Sequence, residues 1–349
     1  MSVSYLVAGT ALISFVLCAL ARRVPLLDAP DGGRKQQKAP VPRTGGLGML
    51  GALLIALVAF AATSGPGAIA EAQPIQILFM AFLAVSPWLI GLADDWLDLS
   101  ARFKLCLICL WAALAAAPFL ASGQTLIGVA VFGWLIVITN AANFMDGANG
   151  LALGTLGIMH VGLFPAYAIM MLCFGTCAPD LFGEYAIVAQ FAMFGAVLGF
   201  LAWNVRGVLY AGDCGSLGAG GLFGLLAVYH VSASMDGLRV ALLGLTLSLP
   251  ILVDVLLTLA WRSLKGRNLM QAHTDHAYQR LVARGWRHIA VAALWWGMTL
   301  LCAVAGVLAL FSPVATGDPA DAFPVQQLVA LIALGAAGSG LWLWERRRA

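Results

Sequence analysis

The segment 75–98, IQILFMAFLAVSPWLIGLADDWLD, decides the architecture. Its first stretch, Ile75 to Leu92, carries no charge. A helix of that length crosses the roughly 30 Å of hydrocarbon in a bilayer. Where it stops, Asp94 and Asp95 follow at once, with Asp98 one turn on. A carboxylate near hydrocarbon is costly, so acidic residues at the rim of a span are functional candidates. Three of the 16 acidic residues fall within these five positions.

The rest of the chain repeats the pattern. Hydrophobic residues make up 62% of the 349 and charged residues 10%, against about 25% charged in soluble domains. We expect an all-α polytopic membrane protein with about eleven spans: roughly 3–21, 46–64, 75–92, 103–121, 125–142, 151–174, 185–203, 208–234, 238–260, 289–311 and 326–344. The first has its charges, Arg22 and Arg23, after the apolar run rather than before it. A cleaved signal peptide has the opposite order, so this segment is read as an uncleaved span. Positions 1–349 then form a single transmembrane domain with its motifs between about 31 and 290.

Lys and Arg concentrate on the cytoplasmic side of a membrane protein. The loop after span one holds Arg22, Arg23, Arg34, Lys35, Lys38 and Arg43. Arg102, Lys104 and Arg206 follow spans three and seven. Arg262, Lys265, Arg267, Arg280, Arg284 and Arg287 follow span nine, and Arg346 to Arg348 end the chain. Of 19 basic residues only Arg239 falls on the other side. The expected topology therefore has its N-terminus on the outer, periplasmic side and its C-terminus cytoplasmic. The net charge of +3 reflects this topology, and no basic–aromatic platform suggests nucleic acid. The seven Cys give no framework; Cys106 and Cys109 lie in an apolar helix, while Cys173 and Cys177 flank an outer loop that a bridge could close.

Five polar clusters lie on the basic side: 32–46 (GGRKQQKAPVPRTGG), 94–98 (DDWLD), 140–150 (NAANFMDGANG), 210–216 (YAGDCGS) and 273–280 (HTDHAYQR). The outer loops have no such pattern. Rim carboxylates suit a hard, oxygen-liganded cation, Mg²⁺ first and Mn²⁺ second. Arg and Lys suit phosphate. Together they point to phosphoryl chemistry. Each cluster also has a plain reading. Asp98 can be a helix-start charge, Asn140 and Asn149 can end helices, and the glycines can serve close helix packing. Asp254, inside span nine, has a pairing or packing reading beside a groove-lining one.

In these residues the chain resembles the polyprenyl-phosphate N-acetylhexosamine-1-phosphate transferases, from about Arg34 to Arg280. The pieces PVPRTGG, GLADDWLD, NAANFMDGANGLA, GDCGSLGAGG and HTDHAYQRL occur in that family's order. The last looks most like the branch that primes O-antigen or capsule-type polysaccharides. Gln37 stands where many relatives have His, and Asn149 replaces an Asp common in the peptidoglycan branch. The resemblance implies transfer of a sugar-1-phosphate from a UDP-N-acetylhexosamine to undecaprenyl phosphate, with release of UMP and a need for Mg²⁺. It implies Asp213 as leading metal ligand with Asp95 assisting, and Asp94 orienting the lipid phosphate. Asn143 and Asp146 would line the nucleotide pocket, Tyr210 would stack on uracil, and His273, His276 and Arg280 would address the sugar or diphosphate. The catalytic candidates are Asp94, Asp95, Asp146 and Asp213. Lys35, Arg43, Asp98, Lys104, Asn149 and Ser216 complete the candidate substrate ligands. Glycine-lined spans allow a homodimer. The rival readings are a carboxylate-based transporter, whose site would sit near the midplane, and a non-catalytic scaffold.

Overall fold

A computed structural model describes residues 2–30, 39–63, 74–166, 181–234, 236–310 and 324–347. Among them stand α1 (Val3–Ala21), α2 (Gly45–Thr63), α3 (Pro74–Leu97), α4 (Ala101–Ala121), α5 (Thr125–Phe144), α6 (Leu151–Gly162), α7 (Leu181–Asn204), α8 (Gly212–Ala233), α9 (Gly237–Leu264), α10 (Ala277–Ala283), α11 (His288–Leu310) and α12 (Val325–Arg347). Two short antiparallel strands, β1 (Leu27–Asp28) and β2 (Val41–Pro42), pair Leu27 with Pro42 and Asp28 with Val41.

Ten of these helices are long and apolar enough to cross a membrane, and an eleventh apolar helix, Leu151–Ala166, is shorter. The protein is thus an all-α, multi-span membrane protein. Leu126, Ile75 and Leu308 are 87%, 74% and 68% exposed, apolar surface that lipid would cover. One of the expected boundaries shifts clearly. The third span was expected to stop at Leu92, but its helix runs on to Leu97. Hydropathy marks where the hydrocarbon ends, whereas the backbone keeps pairing until a residue leaves helical geometry. The far end of the sixth expected span, with Cys173 and Cys177, lies outside the described residues.

α8 is the hub, with 78% of its span buried, and it packs on α2, α3, α5, α6, α7 and α9. Its sequence explains how so many helices fit around it. A Cβ on Gly218 would enter the ring of Trp88, one on Gly221 would meet Pro87 of α3, and one on Gly220 would press on Ala142 of α5. Small residues let backbones approach in the absence of any hydrophobic drive between spans. Trp88 is fully buried and cannot swing away. We therefore expect Gly218→Ala to destabilise the protein by about 1–3 kcal/mol, read as earlier thermal unfolding in detergent. A variant as stable as wild type would mean that α3 and α8 are not held this closely.

The described parts of the polar motifs fall at one end of this bundle. The Thr44 hydroxyl donates to Ala21 O at 2.8 Å, and the Gly46 amide donates to Ala211 O at 2.9 Å. The Gly150 amide donates to Asn204 Oδ1 at 2.6 Å, and the Asn149 amide donates to His288 Nδ1 at 3.1 Å. Arg239 stands at the start of α9, at the other end, paired with Asp236 at 2.6 Å.

Candidate active site

The site begins with a turn that only glycine can make. The Tyr210 amide donates to Pro42 O at 2.8 Å, and the Gly45 amide donates back to Tyr210 O at 2.9 Å. This zips the PVPRTGG segment along the entry to α8. Gly212 then turns with φ +69°, and a Cβ there would collide with Arg43 O and with the Asp95 carboxylate. An L side chain is disfavoured at that φ. The turn delivers Asp213 into the first turn of α8 beside Asp94 and Asp95 in the last turns of α3.

The three carboxylates do different work. Asp95 is 2% exposed, and its Oδ2 accepts the Cys214 amide at 2.9 Å. It satisfies a free N–H at the positive end of α8. Arg43 donates from Nη2 to the Asp95 backbone oxygen at 2.5 Å, with its Nε 3.7 Å from Oδ1. Asp94 and Asp213 share one cation. Lys104, near the start of α4, places Nζ 2.8 Å from Asp94 Oδ2 and 2.5 Å from Asp213 Oδ2. Each of the three side chains keeps partial access to solvent. An ammonium clasped by carboxylates from two other helices is a preformed cation site.

The second wall comes from the end of α5. Asn143 Nδ2 donates to Ser216 Oγ at 3.0 Å, and the Ser216 hydroxyl donates to Gly212 O at 3.2 Å. Ser216, an expected substrate ligand, is fully buried, with its hydroxyl holding Asn143. Burial, then the charges of Asp213 and Asp95, push the Asp146 carboxyl well above the usual carboxylate range. Burial, with Asp28 and Asp146 nearby, raises the Tyr210 phenol.

A further cluster occupies the loop between α9 and α10. Arg262, Arg267, Asn268, Gln271, His273 and Asp275 line an open cleft of about 360 Å³. Arg262 donates to the Asp275 carboxylate, and Arg267 lies 3.4 Å from it. Burial alone would raise Asp275, but Arg262 and the neighbouring cations hold it below the usual carboxylate range. Burial, His276 and Arg262 push the His273 imidazole down to about 4, so it is neutral near pH 7. Arg262 and Arg267 had been assigned to topology alone, and only their place in the fold reveals them as cleft walls.

Two expected substrate ligands turn inward. His276 is 2% exposed, stacks 5.0 Å from His273 and has Nδ1 3.5 Å from Asp254 Oδ1. Arg280 faces Glu345 of α12, with Nε 3.7 Å from its carboxylate. Asp254 takes the pairing role rather than a groove-lining one. Its oxygens accept the amides of Ala277 at 2.8 Å and Tyr278 at 3.3 Å, and the Thr258 hydroxyl at 3.2 Å. A carboxylate within a span thus has its oxygens satisfied by the first amides of α10.

Asp98 is not a helix-start charge. It lies just past the end of α3 with φ +51° and is exposed, its amide donating to Asp94 O at 2.9 Å. A short polar side chain tolerates that left-handed position better than most. Asn149 sits in the turn before α6, where its amide holds His288. Lys35 lies outside the described residues.

A bundle of spanning helices thus carries paired carboxylates and basic groups together at one end, an arrangement suited to phosphoryl chemistry. Comparisons with known proteins agree. The sequence profile described as "Glycosyl transferase family 4" matches residues 75–231. A phospho-N-acetylmuramoyl-pentapeptide-transferase of Moorella thermoacetica is 33% identical over 249 residues, 64% of this chain and 72% of that one. The enzyme of the same name from Synechococcus sp. is 29% identical over 327 residues, 84% of this chain and 87% of that one. A third from Staphylococcus aureus is 30% identical over 175 residues, about half of each chain. The chain belongs to glycosyl transferase family 4, and it is a multi-span transferase of that family.

Proposed function

We propose that the protein transfers an N-acetylhexosamine-1-phosphate from its UDP derivative to undecaprenyl phosphate at the cytoplasmic face of a bacterial inner membrane, priming a cell-surface polysaccharide and releasing UMP. The observation that carries this reading is the single ammonium of Lys104 clasped by Asp94 and Asp213 at one rim of an apolar bundle. A lipid phosphate and a soluble nucleotide meet only at such a rim. A transporter site would sit near the midplane. Asp254, the acidic residue expected inside span nine, is committed to the amides of α10.

The donor set suits Mg²⁺ or Mn²⁺. Asp94 and Asp213 offer hard oxygens that already converge on one cation. Among the described residues no three acidic, His or Cys groups form a cage by themselves. An ion held by one or two carboxylates and completed by substrate phosphate and water is the habit of Mg²⁺. Asp213 and Asp94 would hold the ion, while Asp95, occupied as the cap of α8, would position Asp213. When bound, the metal supplies neutralisation of the diphosphate charge.

The protein's own groups account for the rest. A phosphate monoester is largely a dianion at pH 7, its second pKa being about 6. The lipid phosphate therefore needs orientation more than deprotonation, and Lys104 and Arg43 offer it charge-assisted hydrogen bonds. Attack of its oxygen on the β-phosphorus of the UDP-sugar forms the new P–O bond and breaks the bond to UMP. Asn143, Asp146 and Tyr210 flank the nucleotide, and His273 with Arg262 and Arg267 faces the sugar phosphate. The motif HTDHAYQRL supports a small N-acetylhexosamine rather than a muramoyl peptide.

The test is purified protein with undecaprenyl phosphate, a panel of UDP-N-acetylhexosamines and UDP-N-acetylmuramoyl-pentapeptide, reading UMP with and without Mg²⁺. We expect Mg²⁺-dependent release with at least one simple UDP-N-acetylhexosamine. Release with the muramoyl peptide alone would overturn the branch assignment. No release with any donor would overturn the reaction.

A further inference from the structure

α12 is the least embedded of the spanning helices, with only 11% of its span buried. Its last turn behaves differently. Glu345 is 1% exposed, a carboxylate buried at the edge of the bundle. Arg284 Nη1 donates to its Oε2 at 2.8 Å and Arg284 Nη2 donates to its backbone oxygen at 3.0 Å. Arg280 adds its Nε at 3.7 Å. Both arginines belong to α10 or its C-terminal cap, four positions apart and so on one face. A buried charge at the rim is retained only with such partners.

Two neighbours make the same connection independently. The Arg346 guanidinium is 3.9 Å from the Trp261 ring centroid and 4.2 Å from that of Trp342, and its Nη2 donates to Asp275 O at 2.8 Å. Trp342 Nε1 donates to Thr258 Oγ1 at 3.0 Å, and that hydroxyl donates to Asp254 Oδ1, which also receives the Ala277 amide opening α10. Arg346 and Glu345 therefore hold the start and the end of the segment 275–284 directly, and Trp342 is linked to its first residues through Thr258 and Asp254. That segment adjoins the cleft lined by His273 and Asp275. It also reaches the nucleotide wall, because the Tyr278 hydroxyl donates to Phe144 O at 2.9 Å.

We propose that the last turn of α12 is a strut that positions the 273–284 segment over the nucleotide-sugar, with Glu345 as its main positioning residue. The substrate assignment rests on the transfer reaction proposed above. The strut touches neither Lys104 nor the carboxylates it joins, so its loss should be felt by one substrate and not the other.

The experiment compares full-length wild type, Glu345→Gln, Glu345→Asp and Arg284→Gln in detergent, with steady-state kinetics for each substrate and hydrogen exchange of residues 273–284. Misplacing a binding loop by about 1 Å can cost up to roughly 10²-fold, so Glu345→Gln should raise KM for the UDP-sugar about tenfold or more. kcat and KM for undecaprenyl phosphate should stay within about twofold, the pattern of lost ground-state binding. Arg284→Gln should move the same constant, and Glu345→Asp should recover part of it. Exchange across 273–284 should accelerate in Glu345→Gln. A lowered melting temperature with unchanged UDP-sugar KM would reduce Glu345 to a structural residue and overturn the proposal. Unchanged exchange would overturn it even if wild type proved inactive on every donor, an outcome that counts separately against the reaction.

Discussion

Asp213→Asn is expected to lower UMP release by about 10²–10³-fold while leaving the protein folded, because several kcal/mol of charge stabilisation would be lost at the diphosphate. The substitution keeps the shape of the side chain and removes its charge. Lys104 retains Asp94 as a partner at 2.8 Å, so the local pair remains neutral. Asn can still accept a hydrogen bond from Lys104, and α8 keeps its cap, since the Cys214 amide is held by Asp95 and not by Asp213. Melting in detergent should therefore move little, whereas Asp95→Asn should lower stability as well as activity. The comparison separates a group facing the reacting phosphates from one that holds it in place. Full activity in Asp213→Asn would remove the carboxylate pair from the site.

The division between these carboxylates was only half legible in the sequence. The apolar runs announced the bundle, because the hydrocarbon thickness sets their length. The one-sided distribution of Arg and Lys announced which loops share an end. That placed Asp94, Asp95, Asn143, Asp146 and Asp213 together without any knowledge of packing. What the sequence did not carry was side-chain direction. Asp94 and Asp95 are neighbours, yet successive helical residues point about 100° apart, so one meets Lys104 and the other meets the end of α8. Ser216, His276 and Arg280 sit in the recognisable motifs but turn inward, toward Asn143, Asp254 and Glu345. A motif records that a residue is needed and is silent on whether it touches substrate or another residue that does. Glu345 has a faint signature, one acid just after Trp342 and Trp344 in a span ending in arginines. The arginines were read as topology alone.

Lys104→Ala should be the most informative single change for the metal. Removing the ammonium leaves Asp94 and Asp213 facing one another on adjacent helices, 14% and 26% exposed, with no compensating charge. Breaking a fully buried pair costs about 3–5 kcal/mol, and the partial exposure here reduces that to roughly 2–3 kcal/mol. In chelator the variant should therefore melt well below wild type. A divalent cation that binds the folded state alone stabilises by RT ln(1 + [L]/Kd), about 2.7 kcal/mol at a hundredfold excess over Kd. Mg²⁺ should thus restore most of the lost stability in Lys104→Ala and add much less to wild type, where the ammonium competes for the same oxygens. Transfer should remain low even with Mg²⁺ present, because the lipid phosphate would have lost a cationic partner. Equal Mg²⁺ shifts in the two proteins, or none in either, would mean that Asp94 and Asp213 do not form the cation site. With the larger Mg²⁺ shift in Lys104→Ala, the lysine reads as a resident counter-ion, keeping two carboxylates together until substrate and metal arrive.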